Sequence, residues 1–517
     1  MKRRTFLKHA AHSLAIPGLL GGIGAPAFGR EIERLLNLAT ETGRVLVLIY
    51  LDGGNDGLNT VVPLSNYSAL QSVRPHVILP ENELLEIPDT DFAFHPVLED
   101  LKSLYTERRL QVIHSVGYPQ QNGSHFRSKD IWMSGSDSDQ LLNSGWTGRF
   151  LENEHPEFPE NYPNEEHPHP LAIEIGLGAS MLFQGEKIGF SMVINNVNSF
   201  YELLENEVDE VPDGPVGEKI HYIRLMAQQS QKYGRIVKEA AEKVTFQRPY
   251  PETRLGNQLK IVSRLIAGGL NTPLYLVRLG GFDTHDNQVD GADHTVGRHT
   301  NRLKDLNDSI MAFMKDLEYH KTADQVMGMT FSEFGRKIVS NASGGTDHGA
   351  AAPMFVFGNM SEGNYLGEAP LIKGTEVYRD NLPMQFDFRQ IYTSLLSQWF
   401  ESDSSIPMMS RNNARRFDQV PVIRNTLTDP LSPLERLEIK FYPNPVIDFS
   451  TLSFNADGPV KIDLIDVNGR VLGNLHDREA SGRPFILIVD MSNYAPGRYI
   501  IQVLTTQIRK TVHVIKV

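Results

Sequence analysis

Apolar residues fall along this chain in two rhythms. From Val45 to Leu51 they follow one another without a polar break, and the run ends in Asp52-Gly53-Gly54-Asn55-Asp56-Gly57. An unbroken run of this length predicts a strand buried on both faces, as in the middle of a parallel sheet. The pattern recurs three times. Leu110 to Ser115 leads into Gly117 and then Asn122-Gly123-Ser124-His125-Phe126; Pro273 to Leu279 leads into Gly280-Gly281-Phe282-Asp283-Thr284-His285; Val326 to Phe331 leads into Ser332-Glu333-Phe334-Gly335-Arg336. Between these runs, apolar residues recur at spacings of three and four over about 218–244, 254–268, 294–319 and 388–400, which predicts helices. Strands alternating with helices predict an α/β sheet over roughly 40–400.

The rhythm changes twice more. Residues 151–170 are dense in Pro, Glu, Asn and His, and 205–217 are acidic with two prolines; both read as surface excursions, the His167/His169 pair included. From about 401 to 436 the chain is polar and aperiodic, as a linker is. Beyond it, residues 437–517 give short alternating segments (461–465, 485–489, 499–504 and 511–517) separated by Asn468-Gly469 and Pro496-Gly497 turns. Those signals predict a small all-β sandwich. It carries no cluster of His or carboxylates, so no catalysis is expected there.

Composition narrows the chemistry. The 517 residues include no cysteine, which removes disulfides, thiolate metal sites and cysteine nucleophiles, so that any metal must sit on His, Asp, Glu or Asn. A net charge of -13 argues against a nucleic-acid partner, because phosphate backbones need a basic face. The N-terminus does carry basic residues, Lys2, Arg3, Arg4 and Lys8, followed by a Gly- and Pro-containing apolar stretch and Ala25-Pro26-Ala27. This order reads as a cleavable twin-arginine signal over 1–27, not a membrane anchor, which needs ~20 predominantly apolar residues. Cleavage after Ala27 takes the net charge to -17. No later segment is long and apolar enough to span a bilayer, so no stable membrane span is expected in the mature chain.

The predicted strand ends gather Asp52, Asn55 and Asp56; Ser124 and His125; Asp283 and His285; and Glu333 with Arg336, with Asp347 and His348 close behind. Carboxylates and imidazoles at one sheet edge are what a divalent ion requires: Zn²⁺ or another first-row ion, with Mn²⁺, Mg²⁺ and Ca²⁺ as further fits. A hydroxyl nucleophile and an arginine for anionic oxygens commonly accompany such an ion. The alternative for the Asp283/His285 pair is a hydrogen-bonded cap at a helix start.

In order and spacing, Leu51-Asp52-Gly53-Gly54-Asn55-Asp56-Gly57, Ser124-His125-Phe126, Gly281-Phe282-Asp283-Thr284-His285, Ser332-Glu333-Phe334-Gly335-Arg336, Gly345-Thr346-Asp347-His348-Gly349 and Asp387-Phe388-Arg389 resemble the bacterial family called domain of unknown function 1501. That family is similar to the alkaline phosphatase and sulfatase superfamily. The resemblance implies an α/β/α sandwich with a mostly parallel sheet and metal ions at the strand ends. It also implies a metal set of Asp52, Asp283, His285, Glu333, Asp347 and His348, and a catalytic set of Ser124 as nucleophile with His125 and Arg336. The shorter Asp-x-His spacing and the Glu in place of an Asp-His pair depart from the superfamily pattern and leave one ion, or none, open. In the last domain, Phe441-Tyr442-Pro443-Asn444-Pro445, Asp466-Val467-Asn468-Gly469-Arg470, Pro496-Gly497-Arg498-Tyr499 and Lys516-Val517 resemble the C-terminal sorting domain of the type IX secretion system of Bacteroidetes. The expectation is therefore an exported metal-dependent hydrolase of phosphate or sulfate esters, in the periplasm in transit and then at the cell surface or outside. Its partners are an ester substrate and the twin-arginine and type IX machineries. The alternative is a non-catalytic envelope protein on the same metal-binding scaffold.

Overall fold

The computed structural model describes residues 43–176, 178–194, 232–402 and 417–424, and most of 440–517, where 443–444, 455–457, 467–469, 481–484 and 506–508 are excepted. The signal segment 1–27, the acidic stretch 205–217, most of the 218–244 helix and most of the 401–436 linker lie outside the described residues. The chain divides into two compact units, Met1–Ile423 and Arg424–Val517.

The first unit is built on a nine-stranded sheet. Its strands are β1 (Val45–Asp52), β2 (Leu110–Gly117), β3 (Ala172–Ile175), β4 (Ser191–Ile194), β5 (Leu274–Gly280), β6 (Val326–Phe331), β7 (Ala352–Phe357), β8 (Tyr365–Leu366) and β9 (Phe386–Asp387). The order is β8-β2-β7-β6-β1-β5-β3-β4, with β9 also paired to β2. Strand β1 lies between β5 and β6 and parallel to both, while β7 is antiparallel to β2 and β6. The four apolar runs therefore deliver their carboxyl ends to one edge, and β7 begins there.

Burial on both faces explains why β1 has no polar alternation. Val45, Val47, Ile49 and Leu51 enter one core and Leu46, Leu48 and Tyr50 the other. Helices α1 (Glu99–Thr106), α4 (Arg254–Ala267) and α5 (Arg298–Tyr319) supply apolar residues to the first core. Helices α2 (His125–Ser134), α3 (Trp146–Glu154) and α6 (Phe388–Ser394) supply the second, giving an α/β/α sandwich. Helix α6 continues as a π-helical turn, Leu395–Trp399, matching the expected 388–400. The 294–319 periodicity starts its helix four residues late, because Asp290, Asp293 and Val296 close a turn ahead of it.

The second unit is all β. Strands β10 (Lys440–Tyr442), β11 (Phe449–Phe454) and β14 (Phe485–Asp490) form one antiparallel sheet; β12 (Gly458–Asp466), β13 (Val471–Ala480), β15 (Gly497–Thr505) and β16 (Arg509–Lys516) form another in the order β13-β12-β15-β16. Leu452, Val460, Ile462, Leu464, Val489, Ile501, Val503 and Val514 make its own core.

Candidate metal centre

The site is assembled from the loops that leave the carboxyl ends of β1, β5 and β6, from the start of α2, and from the segment before β7. Gly53 lets two of these loops touch. Its φ is +121°, and a Cβ there would lie 2.3 Å from the backbone nitrogen of Asp283. Arg336 then ties the loops together from below, with its side chain fully buried. Its Nε donates to the Gly54 carbonyl (2.8 Å), Nη1 to Thr346 (2.7 Å), and Nη2 to Phe282 (2.9 Å), to the Gly53 carbonyl and to Asp283 Oδ1 (2.8 Å).

Three imidazoles converge on that Asp283 oxygen. His125 Nε2 lies 3.5 Å from Asp283 Oδ1, His285 Nε2 3.1 Å and His348 Nε2 3.3 Å. The Nε2 atoms of His285 and His348 are 2.8 Å apart. Each ring is held from behind through Nδ1. His125 Nδ1 donates to Glu333 Oε1 (2.7 Å), His285 Nδ1 to Asp347 Oδ1 (2.7 Å), and His348 Nδ1 to the carbonyl of Gly123 (2.8 Å). Glu333, fully buried, is itself fixed by the Gly53 N–H (2.9 Å). A carbonyl only accepts, and ionised carboxylates do likewise, so each Nδ1 carries a proton and each ring, when neutral, turns an Nε2 lone pair towards Asp283.

That arrangement fits a cation. Two lone pairs facing each other at 2.8 Å repel unless a proton or an ion lies between them. His125 Nε2 is buried and makes no hydrogen bond among the described residues. Ligand atoms on a tetrahedral first-row ion lie roughly 3.3 to 3.5 Å apart, given bonds of ~2.0 to 2.2 Å. His125 Nε2, His348 Nε2 and Asp283 Oδ1 all lie within 4.8 Å of one another, with His285 Nε2 beside the latter two, and imidazole held through its other nitrogen is how metal-binding histidines are oriented. Nitrogen-rich donors suit zinc, iron or nickel better than magnesium or calcium, which take oxygen. Asp283 is ready as an anion. Burial opposes its charge, yet the hydrogen bond and charge of Arg336 chiefly outweigh that and hold it at about 2. The hydrogen bond to Glu333 raises the His125 pKa against burial, whereas burial lowers that of His348. The cluster stays open: nearly half of the Asp283 side chain is exposed.

Not every expected residue joins it. Asp52 ends β1 at the right edge, but its carboxylate pairs with Arg278 of β5 instead of the cluster. Glu333 and Asp347 act through His125 and His285 and stand behind the ligand atoms. His125, expected as a catalytic group, is one of the converging imidazoles. Arg336, expected to face anionic substrate oxygens, is committed to backbone carbonyls and Asp283. Asp283 and His285 do not cap a helix, since α5 begins only at Arg298. Ser124 is the N-cap of α2, exposed, with a side chain that makes no capping bond; it lies between Gly123, which holds His348, and His125. His167 and His169 part company: His167 stacks on Tyr162, and His169 accepts from the Asn271 N–H (3.3 Å).

Comparison with known proteins gives matches at both ends of this description. Residues 222–400 match the profile described as "Protein of unknown function (DUF1501)", which takes in the Asp283, Glu333, His348 and Asp387 segments but not those of Asp52 or Ser124. Residues 440–517 match the secretion system C-terminal sorting domain, which marks the chain for export. No curated protein matches the chain. Among solved structures, a protein in the alkaline phosphatase superfamily from Vibrio parahaemolyticus aligns at 10% identity and a TM-score of 0.32, over 92% of this chain and 82% of that one. The PsFucS1 sulfatase from Pseudoalteromonas sp. aligns at 13% and 0.31, over 90% and 88%. The C-terminal periplasmic domain of EcEptC from Escherichia coli aligns at 10% and 0.32, over 75% and 94%. At such similarity the chemistry has to be read from the chain's own residues. Among the described residues, no helix is long and apolar enough to cross a membrane.

Proposed function

We propose that this chain is an exported hydrolase of phosphate or sulfate esters that depends on one first-row metal ion, with Ser124 as nucleophile. The observation that supports it most is that His125 Nε2, His348 Nε2 and Asp283 Oδ1 lie within 4.8 Å of one another, with His285 Nε2 against the latter two and each ring anchored through Nδ1. These four residues would hold the ion, which supplies Lewis-acid stabilisation of developing negative charge on the ester's oxygens. Ser124 sits where the positive end of the α2 dipole favours an alkoxide. As its proton passes to solvent, Oγ bonds to phosphorus or sulfur while the bond to the ester oxygen breaks; that oxygen leaves on the opposite side and takes a proton from water. A water molecule then attacks the phosphorus or sulfur, breaking its bond to Oγ, releasing the acid and restoring the serine hydroxyl. Glu333 and Asp347 keep their imidazoles in the Nδ1–H tautomer throughout. The use of Arg336 as a structural tie favours a second reading, a metal-holding envelope protein without catalysis.

The two readings part on one comparison. Purified protein, stripped and reloaded with zinc or manganese, should bind about one equivalent and hydrolyse a member of a panel of phosphate and sulfate esters. Asp283→Ala should lose both metal and hydrolysis, while Ser124→Ala should lose hydrolysis and keep the metal. Full metal content with no turnover across the panel sinks the hydrolase; metal content unaffected by Asp283→Ala sinks the centre itself. For delivery, we propose that the Arg3-Arg4 signal carries the folded chain to the periplasm and that residues 437–517 take it on through the type IX machinery to the surface.

A further inference from the structure

With Arg336 committed to the loops, recognition of negative charge has to fall to other cations near the centre. His125 and Lys129 are four residues apart in α2 and so share one face of that helix. The Lys129 ammonium reaches 5.8 Å from the centroid of the Tyr50 ring, and the Arg278 guanidinium lies 5.8 Å from the same centroid. Tyr50 belongs to the end of β1, and its hydroxyl is buried beside Asp52 and Glu333, the carboxylate that holds His125. Two cations thus flank one ring whose hydroxyl lies beside the carboxylate that holds His125. They are not equally engaged. Arg278 pairs with Asp52 and still leaves nearly half of its side chain exposed, whereas Lys129, half-buried, has no ion-pair partner among the described residues. Its charge favours the ionised form of Glu174 and of its own neighbour Asp130. In a chain of net charge -13, a lysine without an ion pair among the described residues is thus held over a ring beside the carboxylate that holds His125.

We infer that Lys129 and Arg278 form an anion subsite beside the metal centre, one that selects substrates with a second negative group about one helical turn from the group being hydrolysed. This deepens the hydrolase reading and rests on it. The ligand class is an ester bearing two acidic groups, as opposed to a simple monoester. A cation that gains one charge-assisted bond to such a group supplies roughly a tenfold preference.

The test uses the zinc-loaded full chain and two probes that chelate zinc weakly, naphthalene-1-sulfonate and naphthalene-1,5-disulfonate, titrated calorimetrically at fixed ionic strength. The wild type should bind the disulfonate about tenfold more tightly. Lys129→Met, which keeps the packing over Tyr50, should bring the two affinities within about threefold and leave that for the monosulfonate unchanged; Lys129→Arg should restore the preference. Equal affinities in the wild type, or a preference that survives in Lys129→Met, overturn the subsite while metal-dependent monosulfonate binding leaves the hydrolase reading standing. Failure of the loaded wild type to bind either probe overturns both.

Discussion

Glu333 shows how one side chain can serve a proposed metal ligand without being one. Its buried carboxylate fixes the tautomer and aim of His125 and is held in turn by the Gly53 N–H. Replacing it with Gln keeps the shape and loses the charge. The expected result is a 10- to 100-fold loss of metal affinity, with the fold retained, measured by competition with a chelator. Unchanged affinity would place His125 outside the ligand set. The sequence made the residue types of this centre readable, because motifs with His, Asp and Glu follow the apolar runs. It did not show which of them face inward. Asp52 looked like a ligand because it ends the central strand, and only the register with β5 reveals Arg278 two residues back on the same face to capture it. The tie made by Arg336 was equally hidden, since its acceptors are carbonyls, and every residue has one.

Buried histidines near the centre carry a pH signature. His299, on α5, is fully buried and its Nε2 bonds to Asn55; burial, with Arg336 and Arg74, brings its pKa down to about 4 against the pull of Asp56. His95 is brought down to about 3, chiefly by burial and then by His299. In the unfolded chain both return to ~6.5. Between that value and the folded ones the unfolded state binds more protons, so the stability they contribute is fully present above pH 6.5 and is lost as the pH falls towards 4. The loss is on the order of 3 kcal/mol for His299 alone. The Asp56 carboxylate, kept ionised by Arg74, His299 and Gln288 in spite of its burial, adds a loss of the same sign at lower pH. Urea midpoints should therefore drop between pH 7 and pH 4.5, and His299→Gln should flatten the profile; a flat wild-type profile counts against neutral buried imidazoles.

Among the elements, α5 does more than cover the sheet. Its Asp316 is fully buried and accepts from the Arg248 N–H (2.8 Å), Gln247 Nε2 (3.1 Å), the Tyr250 hydroxyl (3.1 Å) and Ser263 Oγ (2.8 Å). One carboxylate thus fastens the segment before α4, and α4 itself, to the helix behind the Asp283 loop. Asp316→Ala should cost about 3 kcal/mol or more in chemical unfolding, because four donors lose their acceptor together, with Asp316→Asn in between. A cost below 1 kcal/mol would mean that water replaces the carboxylate. The central strands were legible as unbroken apolar runs, and the long helices by one strong period. The outer strands were not: β3 and β4 have four residues each and β8 and β9 two, too short for a period to register. The reversed direction of β7 leaves no trace in composition, since a strand buried on both faces looks the same either way.

At the scale of the whole chain, two compact units meet different demands. The first surrounds its sheet with two apolar cores and holds every residue of the metal centre; the second closes a separate core between two antiparallel sheets and matches a sorting domain. The expected division rested on the change from a period of three to four to a period of two, and the expectation that the chemistry sits in the first unit rested on the lack of His and carboxylate clusters in the last 80 or so residues. A unit with its own core can fold alone. Removing residues 437–517 should therefore leave a chain with the melting temperature of the first unit's transition and the same metal equivalent, while its delivery to the cell surface is lost. Fractionating cells that express the truncated chain checks both halves at once. Surface delivery that persists would refute the sorting role, and a metal-free or aggregated product would show that the centre draws its stability from beyond its own unit.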